Sequence, residues 1–352
     1  MNIKKIKIQG HVIGEKTKSF IIAEISGNHN QSFARLKKLI FLAKKSGADA
    51  VKLQTYTADT ITINSNRKDF KINKKTPWKS EKNLWSLYNK AYTPWEWHKD
   101  IFKFCKKIKI IVFSSPFDES AVEMLEKLNC PAYKIASPEI DHYPLLEKIA
   151  KTGKPVIISR GLADYKKLKN AVKYLKKNGS NNIAILQCVS AYPAPLNEQN
   201  LLTIKNIIKD FKVISGLSDH SIGNISAAAS IVLGGRIIEK HLDLDDKIKT
   251  VDHFFSSRGN QFKLFVKAIR DTEVSLGIAT YRLPKSAKKN LNSMRSIYVS
   301  NNIDKGEYLT NKNIKVVRPS YSLKPIYYKK ILGKKVKKNL KIGDRLKLYD
   351  LV

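Results

Sequence analysis

Acidic side chains are scarce in this chain: 30 Asp and Glu stand against 66 Lys and Arg in 352 residues, a formal charge of +36. Cysteine is scarcer, with Cys105, Cys130 and Cys188 widely spaced and in no C-x-x-C arrangement. An odd, scattered set excludes a disulfide framework and a cysteine-built zinc site, and predicts reduced thiols in a cytoplasmic protein. Long apolar runs are missing as well. Nothing approaches the roughly 18 residues of a membrane span, and the opening "MNIKKIKIQGHVIG" alternates apolar and polar residues with no signal-peptide core. The expectation is a soluble protein with no membrane partner.

The positive charge alone would suggest nucleic acid or an acidic surface. Its distribution argues otherwise. In "RLKKLIFLAKKSG" and "DYKKLKNAVKYLKKNG" the lysines fill the polar face opposite an apolar stripe, which is the pattern of a solvated helix. No helix-turn-helix, zinc-finger or RNP-like pattern accompanies them, so nucleic acid is not the expected partner. The field would still draw in a small anion.

After a hairpin around "IKIQGHVIG", β-branched apolar runs alternate with amphipathic ones. Eight strands are predicted, over 20–26, 50–56, 110–116, 132–137, 155–161, 183–189, 213–220 and 236–242, each followed by a helix. This is the rhythm of a (β/α)8 TIM barrel, α/β in class. A long insert, Thr57 to Tyr92, follows the second strand with Trp78 and Trp85, as a lid or interface loop would. Near Pro284 the rhythm changes to short strands and Asn, Gly and Lys turns, which predicts a small, mostly β second domain.

A barrel of this kind works at the C-terminal ends of its strands, and there the sequence is unusually polar. In "FIIAEISGNHN" a carboxylate, Glu24, interrupts an apolar strand. Further ends add Ser26, Lys52, Gln54, Ser114, Ser115, Lys134, Ser137, Ser159, Gln187, Ser218, His220, Glu239 and His241. Lys52 and Lys134 are cations suited to a phosphate or carboxylate, with Ser137, Ser159 and Ser218 as hydroxyl donors. His220 and His241, on neighbouring strands, could share one divalent cation. Cys188, next to Gln187, has the opposite parity and is expected to face the helices.

The stretches "AEISGNHN", "GADAVKLQTYTADT", "YTPWEWH", "PAYKIASPEI", "SAYPAP", "GLSDHSIG" and "IEKHL" together resemble the sialic acid synthase family, in order along the barrel. "RSIYV", "GEYLT", "VVRPSYSLKP" and "ILGKKVKK" resemble its C-terminal antifreeze-like (SAF) domain. The resemblance implies a TIM-barrel domain over 1–280, a linker over 281–293 and the SAF domain over 294–352. It implies condensation of phosphoenolpyruvate with an amino-sugar aldehyde to a nine-carbon α-keto acid. By the same resemblance a manganese-type cation, with Mg2+ or Co2+ as alternatives, sits on His220 and His241. Lys52, Ser114, Lys134, Ser137, Ser159 and Ser218 surround phosphoenolpyruvate, Ser190 and Tyr192 lie near the substrates, and Glu24, Glu139 and His241 take part in the chemistry. The family also implies a domain-swapped homodimer in which Arg318 of the small domain reaches the partner's barrel. Where relatives read R-P-G-x-G this chain has Ser320 and Ser322, which would strain a loop that needs positive φ. Within the family the likeness is to the pseudaminic acid synthases, and the acceptor so implied is 2,4-diacetamido-2,4,6-trideoxy-L-altrose, with Tyr92, Trp95, Trp97 and Tyr321 as aromatic lining. N-acetylneuraminate and legionaminate synthases are the alternatives within the family. Outside it stand a barrel aldolase or isomerase and a basic nucleic-acid-binding protein on an inactive barrel.

Overall fold

The computed structural model describes residues 5–352, and these form two compact units that part between Gly277 and Ile278. The first opens with a hairpin of β1 (Ile6–Ile8) and β2 (His11–Ile13). Its two-residue turn, Gln9 and Gly10, has φ of 45° and 88°, the left-handed pair that a tight hairpin requires. Ile6, Ile8 and Ile13 are buried with Phe20 in the same apolar cluster, so the hairpin adds to the barrel's core.

Eight strands follow: β3 (Phe20–Glu24), β4 (Ala50–Thr55), β5 (Ile111–Pro116), β6 (Tyr133–Ile135), β7 (Val156–Ser159), β8 (Ile183–Cys188), β9 (Ile214–Asp219) and β10 (Ile237–Asp243). Every neighbouring pair is parallel and β10 pairs with both β9 and β3, which closes a TIM barrel. All eight strands predicted from the sequence are present. The outer layer consists of helices Phe33–Ser46, His98–Ile108, Glu119–Lys127, Tyr143–Lys151, Tyr165–Lys177, Thr203–Phe211, Ile225–Val232 and Asn260–Leu276. Ser32, Asp118 and Asp164 cap three of them by accepting a first-turn N–H. Between strands and helices lie Ile, Val and Leu, as in the set Ile21, Leu36, Leu39, Ile40, Val51 and Ile269, all at most 1% exposed. A short β11 (Ser257–Arg258) pairs with the end of β10 and marks the return of a loop over 244–256.

The second unit pairs β12 (Ser296–Val299) with β13 (Ile314–Val317) antiparallel, and its own core is built from Ile297, Ile303, Leu309, Ile331, Val336 and Leu346. Neither Ser320 nor Ser322 has positive φ. Instead the Ser322 hydroxyl donates to Ile297 O and accepts from Leu346 N at 2.7 Å. The expected loop strain is absent because neither position takes up the left-handed conformation that would demand glycine.

Barrel closure depends on one bare position. A Cβ on Gly216 in β9 would fall 1.8 Å from Ile237 O in β10, and backbone cannot move aside as a side chain would. Gly216→Ala should destabilise the barrel by about 3 kcal/mol or more, read as a lowered midpoint in urea unfolding, and an unchanged midpoint would show that closure tolerates a side chain there.

Candidate active site

Inside the C-terminal mouth of the barrel, four charges replace the branched aliphatic layer that such interiors favour. Glu24, Lys52, Lys134 and Glu239 are each at most 3% exposed. Lys52 Nζ lies 2.6 Å from Glu24 Oε2 and 3.7 Å from Glu239 Oε1, and Lys134 Nζ lies 3.8 Å from Glu239 Oε1. Alternation along parallel strands in register makes this possible, because Glu24 pairs with Lys52 and Glu239 with Ser218. Gln54 Nε2 and the backbone N–H of Ser26 both donate to Glu24 Oε1, at 3.1 and 3.0 Å. Ser218 donates to Glu239 Oε1 at 3.1 Å, and Lys52 donates to Ser115 at 3.1 Å.

Beside the lysines is a cluster of hydroxyls. Ser137 Oγ accepts from the N–H of Leu162 at 2.6 Å and from Ser190 Oγ at 3.2 Å, so its own proton is available to a ligand. Ser159 Oγ is buried with no partner. Gly161 keeps the cluster open, since a Cβ there would sit 2.3 Å from both Ser137 Oγ and Ser190 Oγ. Ser114 is not part of it. Its hydroxyl meets Leu53 O at 2.9 Å and Thr55 Oγ1 at 2.6 Å, and Thr55 in turn meets His98 of the outer layer. Ser115 is the residue of β5 that points inward. Gln187 likewise faces outward, bonded to Arg160 and to Gln199 O.

His220 and His241 stand together at the mouth with ring centroids 5.4 Å apart. The His220 Nδ1–H donates to Val189 O at 2.9 Å, which leaves Nε2 as the ring nitrogen available to a ligand. His241 Nδ1 is buried without a hydrogen-bond partner, and Asp252 Oδ2 is 3.7 Å away. Among the described residues no cluster of three His, Cys, Asp or Glu forms a complete cage. Two imidazoles are a donor type that a divalent cation accepts, but the chain would supply only those two ligands. Behind the pair, Lys240 and Asp219 form a buried ion pair of 2.9 Å, tying together the two residues that precede the histidines. Cys188, contrary to its expected helix-side position, faces the site: its Sγ is 3.9 Å from His220 Nδ1.

The aromatic lining also differs from expectation. Trp97 packs on His29 and Phe33, at 5.9 and 5.4 Å, among the outer helices, and Trp95 Nε1 donates to Tyr56 O. The rings next to the histidines are Tyr192 and Phe255, and behind them lie Phe254, against Phe255, and Trp78 of the insert, against Tyr192. Arg318 and Tyr321 are exposed on the second unit, where Arg345 lies 5.0 Å over the Tyr321 ring.

The sequence profile of the NeuB family matches residues 39–281, and that of the SAF domain matches residues 294–352. The chain belongs to the NeuB family. It is similar to the pseudaminic acid synthase of Helicobacter pylori, at 44% identity over 94% of this chain and 97% of that one. It is also similar to the N,N'-diacetyllegionaminic acid synthase of Campylobacter jejuni, at 36% identity over 94% of this chain and 99% of that one. Among solved structures, a spore coat polysaccharide biosynthesis protein of Bacillus subtilis superposes with a TM-score of 0.67 at 28% identity, covering 99% of both chains.

Burial dominates the electrostatics of this NeuB-family barrel. It raises the carboxyl of Glu24 despite the adjacent Lys52, and lowers the ammonium of Lys134 despite Glu239. For Glu239, burial is outweighed by Lys134 and Lys52, and the carboxylate stays ionised below its usual range. Glu139, on the turn after β6, is raised to about 7 by burial, and Asp252 to about 6 for the same reason, opposed by Ser26. Burial also holds His241 well below its usual value, in the neutral form a metal ligand needs. Ser26 reaches Asp252 with its hydroxyl from a φ of 51°, an uncommon geometry for a non-glycine residue. Sequence reasoning missed Gly161, Cys188, Asp252 and the Phe254–Phe255 pair. The "SRG" that ends β7 and the "VDHFF" after β10 were the available signals.

The Glu139 carboxyl yields a test. A carboxyl raised from 4.5 to about 7 in the folded state contributes stability that is full below its unfolded pKa and is lost as pH rises through 7. Between pH 4 and 8 the wild type should lose about 3 kcal/mol relative to Glu139→Gln, by the ordinary conversion of a pKa shift. Urea unfolding at a series of pH values measures this, and parallel pH profiles for the two proteins would place Glu139 in solvent.

Proposed function

We propose that the chain condenses phosphoenolpyruvate with 2,4-diacetamido-2,4,6-trideoxy-L-altrose and water to give pseudaminic acid and phosphate, and that it does so in the cytoplasm. The observation that carries this reading is a pair of buried lysines and an unpartnered Ser159 hydroxyl in the same barrel mouth as two adjacent histidines. Such a layer is costly in an empty barrel and suits a multiply charged anion. The likeness to the Helicobacter pylori enzyme supports the choice of sugar. Three unpaired, buried cysteines are in keeping with a reducing compartment, and no helix is long and apolar enough to cross a membrane.

In this reading Lys52 and Lys134 hold the phosphate and carboxylate, Ser137 and Ser159 supply the hydroxyl donors, and Ser190 and Ser218 line the same space with their protons already given to Ser137 and Glu239. His220 and His241 would hold a divalent cation, Mn2+ with Mg2+ or Co2+ as substitutes, which when bound supplies Lewis-acid polarisation of the aldehyde oxygen. The remaining steps belong to the chain's own groups. C3 of phosphoenolpyruvate bonds to the aldehyde carbon, and Glu139, its carboxyl raised to about 7 by burial and so part protonated near neutral pH, can give the forming alkoxide its proton. Water adds at C2, with Glu24 as the carboxylate on that side, and the C2–O bond to phosphate then breaks to leave the α-keto acid. The family's homodimer, with Arg318 closing the partner's mouth, completes the proposal. Mixed dimers of Glu24→Ala and Arg318→Ala chains should recover part of the activity lost in each parent, and no recovery would place Arg318 over its own barrel.

Mass spectrometry of the product from phosphoenolpyruvate and a sugar panel tests the reaction, and a product from N-acetylmannosamine of equal kcat/KM would move the protein to the neuraminate or legionaminate branch. Chelation should abolish turnover and Mn2+ restore it, and His220→Ala or His241→Ala should lower kcat by about 10³-fold or more. Full activity in the double variant would remove the cation from the site. Lys52→Ala and Lys134→Ala should raise the KM for phosphoenolpyruvate far more than Lys167→Ala or Lys176→Ala on the exposed helix Tyr165–Lys177. Equal effects from all four would mean that only the diffuse field matters.

A further inference from the structure

The inward face of β4 continues one rung beyond the charged layer and its first neighbour. Lys52 and Gln54 alternate into the mouth, where both meet Glu24, while Thr55 between them turns out to His98. Tyr56 follows with the parity of Gln54. On β5 the pattern repeats, since Ser115 pairs with Gln54 and Phe117 stands two residues beyond it. The Tyr56 ring accordingly packs edge-on against Phe117 at 5.1 Å, and also against Tyr88 of the insert at 5.7 Å. Its backbone is pinned as well, because Trp95 Nε1 donates to Tyr56 O at 3.0 Å. Tyr56 is 2% exposed, yet its hydroxyl has no hydrogen-bond partner among the described residues. A buried phenol normally finds one, and leaving such a donor unused costs about 1–3 kcal/mol. The proton is firmly held: burial raises the phenol well above its ordinary range, and Asp252, Tyr88 and Glu24 raise it further.

We infer that the Tyr56 hydroxyl donates a hydrogen bond to an oxygen of the acceptor sugar. The inference rests on the proposed condensation and adds to it a residue that holds the second substrate. Depth decides between the two substrates. The cations that suit phosphoenolpyruvate, Lys52 and Lys134, share the deeper layer with Glu24 and Glu239. Tyr56 lies two inward positions nearer the opening than Lys52, about 13 Å along an extended strand. Charge points the same way. The carboxyls that bear on the hydroxyl are Asp252, held by the Ser26 hydroxyl, and Glu24, and they would repel a multiply charged anion while accepting a neutral sugar. An open-chain acetamido sugar offers hydroxyl and amide oxygens, each of which can take the phenol proton as a hydrogen bond.

Tyr56→Phe keeps the ring against Phe117 and Tyr88 and removes only the hydroxyl, so it separates binding from packing. With phosphoenolpyruvate and 2,4-diacetamido-2,4,6-trideoxy-L-altrose as substrates, kcat/KM for the sugar should fall by about tenfold. The KM for phosphoenolpyruvate should not change. The urea midpoint should equal that of wild type or exceed it, because an unpaired buried hydroxyl is lost. An unchanged kcat/KM for the sugar would overturn the assignment and leave the proposed reaction standing. A rise in the phosphoenolpyruvate KM as large as the loss for the sugar would give the hydroxyl to the anion instead, and a lowered urea midpoint would make it part of the packing; either overturns the assignment. A wild type that forms no product from the two substrates would overturn the proposed reaction and this inference with it.

Discussion

Everything at the barrel mouth depends on one constraint: four ionisable groups, Glu24, Lys52, Lys134 and Glu239, share a space from which water is almost excluded. Moving each from water costs several kcal/mol, and mutual attraction returns that only with good geometry. Here the geometry is good for Lys52 with Glu24 and poor for Lys134, whose nearest carboxylate oxygen is at 3.8 Å. A fold selected for stability alone would fill this layer with Val, Ile and Leu. The cluster is understandable as half of an interaction whose other half is a bound anion.

The remaining parts of the mouth divide the work. The serine cluster with Gly161 supplies oriented donors at one side, the histidine pair stands at another, and the aromatic wall encloses the third. The last two are held from the helix side by ion pairs. Lys240 with Asp219 fixes the strand ends that carry the histidines, and Arg35 with Asp243 fixes the loop that carries Phe254 and Phe255. Preorganisation of this kind is what a site needs in order to bind without reorganising.

Much of this was legible in the sequence, because period-two alternation carries parity from strand to strand. Glu24, Lys52, Lys134, Ser159, Ser218, Glu239 and both histidines face inward as their spacing requires. Parity failed where the residues could not set the phase. At β5 two serines stand side by side, and only packing on Thr55 shows that Ser114 is the outward one. At β8 the more polar residue looked like the functional one, yet Gln187 satisfies its amide on Arg160 and Gln199 while Cys188 turns to His220. Loop residues were harder still. Asp252 and Phe254 lie far from Ser26 and Trp78 in the chain, so only the fold brings them together.

The most direct measurement replaces the charged layer by neutral isosteres, Glu24→Gln, Lys52→Met, Lys134→Met and Glu239→Gln in one chain, and follows urea unfolding together with calorimetric titration of phosphoenolpyruvate. If the layer exists for the ligand, the free barrel becomes as stable as wild type or more so, and the heat of phosphoenolpyruvate binding disappears. A variant that unfolds at markedly lower urea would contradict this, and would make the four charges a structural ion cluster that the fold itself requires.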